Sequence, residues 1–321
     1  MRGVRRFASP TVTVAVLAVV IWRLGTGPFL AGLRAVDGRA VLAAGCVVLV
    51  TTLLSAWRWT IVARGLGLRL SLPAAVAAYY RCLFLNLTLP GGVAGDVHRG
   101  VRHGRDVHDV SRALRAVVWE RAAGQVVQAV MTISVLLVLP SPVHSSMPYV
   151  AAAAVALALA VAVICRIRMG AAGSRLDRLR NAAVADIRGG VLRRNAFPAV
   201  VITSALIVVG HAVTFVIAAR TVGVTMPVFR LLPLALLSLL AMVLPNVGGW
   251  GPREGVTAWA FAAAGLGAGR GAEAAVAYGV MVLAASLPGA VVLAAGLLSR
   301  RRVSEPRARR RVVYPSGATD A

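Results

Sequence analysis

Eight apolar stretches follow one another along this chain, at roughly 11–33, 39–63, 72–89, 116–139, 149–165, 196–219, 228–247 and 272–298. Each holds on the order of 17 to 25 residues, which at about 1.5 Å per residue crosses or nearly crosses a hydrocarbon layer about 30 Å thick. The composition agrees: 59% of the 321 residues are hydrophobic and 14% are charged, against about 25% charged in an average soluble domain. The fold class that follows is all-α, a polytopic membrane helix bundle with six to nine membrane segments.

Arginine placement orients it. The chain contains no lysine, and its formal net charge is +24. In a soluble protein such a balance would point to nucleic acid. Here the arginines lie mostly between the apolar runs, so membrane topology and anionic head groups account for them and no nucleic-acid partner is expected. The opening "MRGVRRF" and "TVTVAVLAVVIW" are followed by no A-x-A cleavage site and read as a retained first helix. Loops on the cytoplasmic side carry the excess of basic residues. The N-terminus, 64–71, 98–115, 166–194 and the tail from 300 hold most of the arginines, leaving Arg23, Arg34, Arg39, Arg220, Arg230 and Arg270 outside. Both termini are therefore expected in the cytoplasm of a plasma-membrane protein.

That topology forbids a full crossing by 72–89, because it would put the 166–194 loop and the tail outside. The segment must enter and return, turning at "LPGGVAG". By the same reasoning the segment around "LPNVGGWG" enters from the outside and returns. The apolar arm after it, 255–268, has 14 residues and spans only about 21 Å. An N-terminus outside, with 72–89 crossing fully, is the alternative, and it leaves more arginines on the outer face. Each turn pairs a Leu-Pro with glycines and an arginine: Pro90, Gly91, Gly92, Gly95 and Arg99 in one, Pro245, Gly248, Gly249, Gly251 and Arg253 in the other. Similar turns entering from opposite faces are what an inverted repeat produces, with a substrate site near the midplane. The pseudo-repeats are about 1–140 and 141–300 within a single integral membrane domain, 1–300, and the tail 301–321 is expected to be disordered.

Irregular backbone at membrane depth is tolerated only where it is buried in protein or lines a wet cavity. Glycine-rich turns let N–H groups approach a ligand, and half-helix N-termini favour anions. The alternative is that these glycines merely permit close helix packing. The candidate lipid-binding residues are Asn86, Pro90, Gly91, Gly92, Gly95, Asp96, Arg99, Glu120, Arg121, Pro245, Asn246, Gly248, Gly249, Gly251, Arg253 and Glu254. On helix 116–139, Glu120, Arg121, Gly124, Gln125 and Gln128 fall within an arc of about 140° that must look inward. Glu120 is placed about 7 Å inside the cytoplasmic boundary, and a buried acid there requires a partner such as Arg99 or Arg121. A structural ion pair is the plainer reading of the same residues. Guanidinium matches phosphate oxygens bidentately, which singles out Arg253. Arg81 is either a pathway residue or internally paired, and His211 is expected to hydrogen-bond between helices.

His98, His103 and His108 stand five residues apart, not on one helix face, and no H-E-x-x-H occurs, so no metal is expected. The segment 98–115 reads instead as an amphipathic, arginine-rich stretch at the cytoplasmic interface. Three distant cysteines exclude a disulfide framework. No soluble catalytic motif stands out, and no cofactor is called for.

"NLTLPGGVAGDVHRG", "VVWERAAGQ", "LPNVGGWGPREG" and "LPGAVVLAAG" resemble the transmembrane region of bacterial lysylphosphatidylglycerol synthetases and its stand-alone flippase-like relatives, over roughly 10–300. In fused members the membrane part is thought to translocate the aminoacylated lipid, while a soluble domain performs the aminoacyl transfer. The resemblance therefore implies a stand-alone member without the aminoacyltransferase domain. Its expected role is to bind and translocate an anionic phospholipid or polyprenyl-linked lipid, without catalysis of its own. An intramembrane enzyme on a lipid phosphate or lipid-linked sugar, or a scaffold for a separately encoded lipid-modifying enzyme, are the alternatives.

Overall fold

The structure is a computed structural model that describes residues 26–89, 91–166, 175–244, 246 and 250–304. Among them are eleven α-helices: α1 (Gly27–Arg34), α2 (Gly38–Gly65), α3 (Leu72–Thr88), α4 (Ala94–Asp106), α5 (Val110–Val138), α6 (Met147–Arg166), α7 (Arg175–Asp186), α8 (Phe197–Thr221), α9 (Val228–Ala241), α10 (Pro252–Ala263) and α11 (Ala268–Ser304). Five stretches are long and apolar enough to cross a membrane: α2, α5, His144–Val163, α8 and Ala268–Gly296 of α11. The chain is an all-α, multi-pass membrane protein.

The helix starts follow local chemistry. Asp37 caps α2 by accepting the Ala40 N–H at 2.7 Å, and Asp109 caps α5 by accepting that of Arg112 at 2.9 Å, each satisfying an otherwise orphaned first-turn donor. Proline occupies the first turns of α3, α8 and α10, where its missing N–H costs nothing. Because Asp109 begins α5, that helix starts at Val110 rather than 116. Glu120 then lies about 15 Å along it.

Two helix pairs are shorter than the spans and fold back on themselves. In the first, α3 ends where Leu89 turns extended (φ −101°, ψ 147°) ahead of Pro90, as the residue before a proline prefers. Gly91 and Gly92 take φ of +98° and +62°, and α4 returns. In the second, α9 and α10 are joined through Gly251 at φ +113°, a conformation reserved for glycine. The tips of the two hairpins touch: the Gly91 N–H donates to the Asn246 carbonyl at 2.9 Å.

The segment 98–115 departs from expectation. It does not lie along the surface as one amphipathic stretch. Its first part belongs to α4, which buries Gly95, Asp96, Arg99, Gly100, His103 and Gly104. The positions a Cβ would take at Gly95, Gly100 and Gly104 are already held by Cys82, Leu114 and Val110. These glycines draw α4 tightly against α3 and α5. One apolar cluster, including Phe215, Leu231, Phe261 and Tyr278, joins α2, α8, α9, α10 and α11; another, around Trp59, Ala75 and Ala116, joins α2, α3 and α5. Cys82 is buried, whereas Cys46 is exposed on α2.

Candidate functional site

Where α2, α3, α4 and α5 meet, five charged side chains form one network. Arg99 is 1% exposed and Glu120 fully buried. Arg99 donates through Nη2 to Glu120 Oε2 at 2.7 Å, and through Nε and Nη2 to Asp96 Oδ1 at 3.1 and 2.9 Å. Arg58 donates from Nε to Glu120 Oε1 at 2.8 Å and from Nη1 to Ser204 Oγ at 2.8 Å; its Nη2 also pairs with Glu120. Arg121 pairs with Asp96, which further accepts from Asn86 Nδ2 at 2.9 Å. Asn86 Oδ1 in turn accepts the Gly95 N–H at 2.7 Å, tying the turn to α3.

The arginines are also held by shape. The Arg99 guanidinium lies 4.7 Å from the Trp59 ring centre and 4.3 Å from that of Tyr79, within cation–π range. Gly124 has no side chain where a Cβ would come within 2.8 Å of Arg58 Nη1, so Arg58 crosses α5 there. Buried charges of this kind persist only when paired and hydrogen-bonded. Even so, Arg99 Nη1 has no hydrogen-bond partner among the described residues.

Beside this network opens a cavity of about 270 Å³. Its polar wall comes from Arg58, Arg99 and Asp96, from Arg121, Gln125 and Gln128 on α5, and from Thr51, Thr52 and Ser55 on α2. Its lining also includes apolar side chains, among them Leu83 and Leu87 of α3 and Leu239, Met242 and Val243 at and just past the end of α9, alongside Asn86, Gly92 and Asn246 of the hairpin tips. His211 and Tyr278 also line it and share a hydrogen bond of 3.1 Å, the interhelical role expected of His211.

The second hairpin keeps its charges apart. Arg253 donates to its neighbour Glu254 from Nε at 3.0 Å, and Glu254 Oε2 accepts the Gly251 N–H at 2.6 Å. Arg253 stacks 5.4 Å from Trp250 and 5.0 Å from Tyr278. It does not line the cavity; Tyr278 stands between.

A family model described as lysylphosphatidylglycerol synthase TM region matches residues 7–307. The chain belongs to this family. No individual curated protein matches it.

In this lysylphosphatidylglycerol synthase TM region, the structure gathers Asn86, Gly92, Asp96, Arg99, Arg121 and Asn246 around the cavity. Glu120 sits directly behind them, and Gly91 and Gly95 shape the turn. Gly251, Arg253 and Glu254 form the separate cluster. Pro90, Pro245, Gly248 and Gly249 lie outside the described residues. Of the two partners expected for Glu120, Arg99 takes the role and Arg121 turns to Asp96 instead. Arg81 is buried, with Nε lacking a hydrogen-bond partner among the described residues. His103 packs edge-on against Trp59 at 5.7 Å. Among the described residues, no three His, Cys, Asp or Glu side chains converge on a metal-sized space.

Sequence reasoning overlooked Arg58. The available signal was its isolation: it is the one charged residue between Arg39 and Arg64, and an ionisable group so placed in a spanning helix faces the bundle interior. Ser204 and Tyr79 carried no such signal, because a lone hydroxyl in a membrane helix usually serves its own backbone.

Proposed function

We propose that this protein binds the head group of an anionic lipid or lipid-linked substrate in the cavity between the hairpin tips and moves it between the leaflets of the plasma membrane. The observation that carries this reading is the mixed lining of the cavity. One wall presents guanidinium groups suited to phosphate oxygens. Leucines of α3 and the leucine, methionine and valine at and past the end of α9 line it as well, suited to acyl or prenyl chains. The contact of the two tips supports hairpins that enter from opposite faces, as two inverted halves of one membrane domain, about 1–140 and 141–300, would. Exposed Leu89, Val93, Val243 and Leu244 around those tips favour a lateral path on which a lipid keeps its chains in the hydrocarbon. The arginine distribution supports cytoplasmic termini.

An intramembrane enzyme fits the same residues less well. All four carboxylate oxygens of Asp96 and Glu120 are engaged by arginine or asparagine, which suits them to holding guanidinium groups rather than to removing protons. The test is a reconstituted vesicle assay with labelled anionic lipids. Folded protein should raise the leaflet exchange of at least one anionic class above that of empty vesicles. Exchange no faster than in empty vesicles, across phosphatidylglycerol, phosphatidate and a polyprenyl-phosphate sugar, sinks the translocation reading. Co-purification with a lipid-modifying enzyme, together with such inactivity, would instead favour a scaffold.

A further inference from the structure

Four arginines are buried among the described residues, and three of them are paired with a carboxylate: Arg58 and Arg99 with Glu120, and Arg253 with Glu254. Arg81, on α3, is the fourth. It keeps 8% of its surface, its Nε is enclosed without a hydrogen-bond partner, and neither of its other two nitrogens bonds to another described residue. A guanidinium cannot shed its charge in a protein. A buried one is stable only when a counter-charge accompanies it.

The surroundings of Arg81 enlarge the deficit. At about 100° per residue it points about 100° to 160° away from Tyr79, Cys82 and Asn86, which help line the cavity, and it is not part of that lining. On the adjoining face of α3, Gly289 of α11 lies against the Tyr80 carbonyl with no room for a Cβ. The charged groups that act most strongly on Arg81 both come from α4: Arg102, a second guanidinium, and Asp106. Asp106 is exposed and pairs with neither arginine. Arg102 is half-buried, bonds to no other described residue, and has its Nη1 3.7 Å from where a Cβ on Gly296 of α11 would stand. Two unpaired guanidinium groups thus lie within electrostatic range of each other where both arms of the first hairpin meet α11.

We infer that Arg81 and Arg102 form a second oxyanion site, on the side of the α3–α4 hairpin turned away from the cavity, and that its ligand is a phosphate group. The oxygens of a phosphate accept from two guanidinium forks at once and its charge offsets both, whereas chloride matches neither fork. The two arginines stand on the two arms of one hairpin, so a phosphate between them ties the arms together beside α11. The same arms carry Asn86, Asp96 and Arg99. The site therefore positions the charge network from behind, without touching what the cavity holds. Two sources share the chemistry: inorganic phosphate from solution, and the phosphate of a phospholipid at the membrane surface where the arginine-rich loops lie. The inference stands whether or not the cavity translocates lipid.

The experiment follows the thermal midpoint of the full chain, stripped of lipid in a neutral, phosphate-free detergent, as probe is added. The probes are inorganic phosphate and short-chain phosphatidate, with chloride at equal ionic strength as the control. Without probe, Arg81→Met should melt no lower than the unaltered chain, because it replaces an uncompensated buried charge with an apolar side chain of similar length. A large drop there would mean that Arg81 already has its counter-charge, and overturns the inference. With probe, the midpoint of the unaltered chain should rise, as it does for any ligand that binds the folded state alone. Arg81→Met and Arg102→Gln should each need about tenfold more probe for the same rise, one of two charge-assisted contacts being lost. Arg121→Gln, altered in the cavity, should keep the response of the unaltered chain to inorganic phosphate. The probe that acts at the lower concentration identifies the source, and either order supports the inference. No rise with either probe overturns it, as does an equal rise with chloride. So does a phosphate response that Arg121→Gln loses while Arg81→Met and Arg102→Gln retain it, which would place the phosphate in the cavity.

Discussion

The two glycine-turn hairpins contain nearly the same parts and use them differently. In α3–α4, Arg99 stands one and a half turns past the helix start, and its guanidinium reaches sideways to Glu120 on α5. The pair becomes a junction for α2, α4 and α5 and faces the cavity. In α9–α10, Arg253 is the second residue of its helix and pairs with the very next residue, while Glu254 also closes the turn at Gly251. That cluster is nearly self-contained. A few residues of displacement along a helix decide whether an arginine serves a neighbouring helix or its own turn, because each residue advances the side chain by about 100°.

The largest expected contrast concerns the acids. Glu120→Ala removes the carboxylate partner of Arg58 and one of the two that hold Arg99, whereas Glu254→Ala removes that of Arg253 alone. Removing one partner of a buried ion pair costs about 3–5 kcal/mol, so Glu120→Ala should lower the thermal midpoint in detergent more than Glu254→Ala does. Equal losses would break the comparison.

A smaller contrast runs the other way and lies in the backbone. Gly251→Ala places a side chain at φ +113°, a region essentially confined to glycine, at about 1–3 kcal/mol. Gly92→Ala at φ +62° enters the left-handed helical region, at about 1–2 kcal/mol. Its Cβ would also meet the Asn246 side chain at 2.8 Å, which that side chain can relieve by turning. Thermal midpoints of the two variants should rank Gly251→Ala as the more damaging, and the reverse order would mean that the tip contact, not the turn, limits stability.

The smallest effect in energy is the most telling for function. Arg121→Gln removes a partly exposed cavity cation and should weaken phosphatidylglycerol binding about tenfold, equivalent to about 1.4 kcal/mol. Arg253→Gln should change the affinity less than about twofold, since nothing in its cluster lines the cavity beyond Tyr278. Comparable losses in titrations of the two variants would place both hairpins at one site.

Much of this architecture was legible before any coordinates. Apolar run length, the two proline-glycine turns and the polar stripe from Glu120 to Gln128 are local properties, set by hydropathy and helical rise. They located the long spans, both hairpins and the inward face of α5. The burial of α4 was not legible, because its arginines and histidines look like a solvated face until the glycines at 95, 100 and 104 are seen to bring two other helices into contact.

What the sequence alone determined is a multi-pass helical protein of the lysylphosphatidylglycerol synthase TM region family, with two glycine turns and charge on the inward faces of its helices. What only the tertiary structure decided is who pairs with whom. Arg58 meets Glu120 across 62 positions and Arg99 meets it across 21, while Arg253 is turned away from the cavity. Hydropathy and rise are summed along one helix, but an ion pair between helices depends on their relative rotation and depth, and packing of the whole bundle sets both.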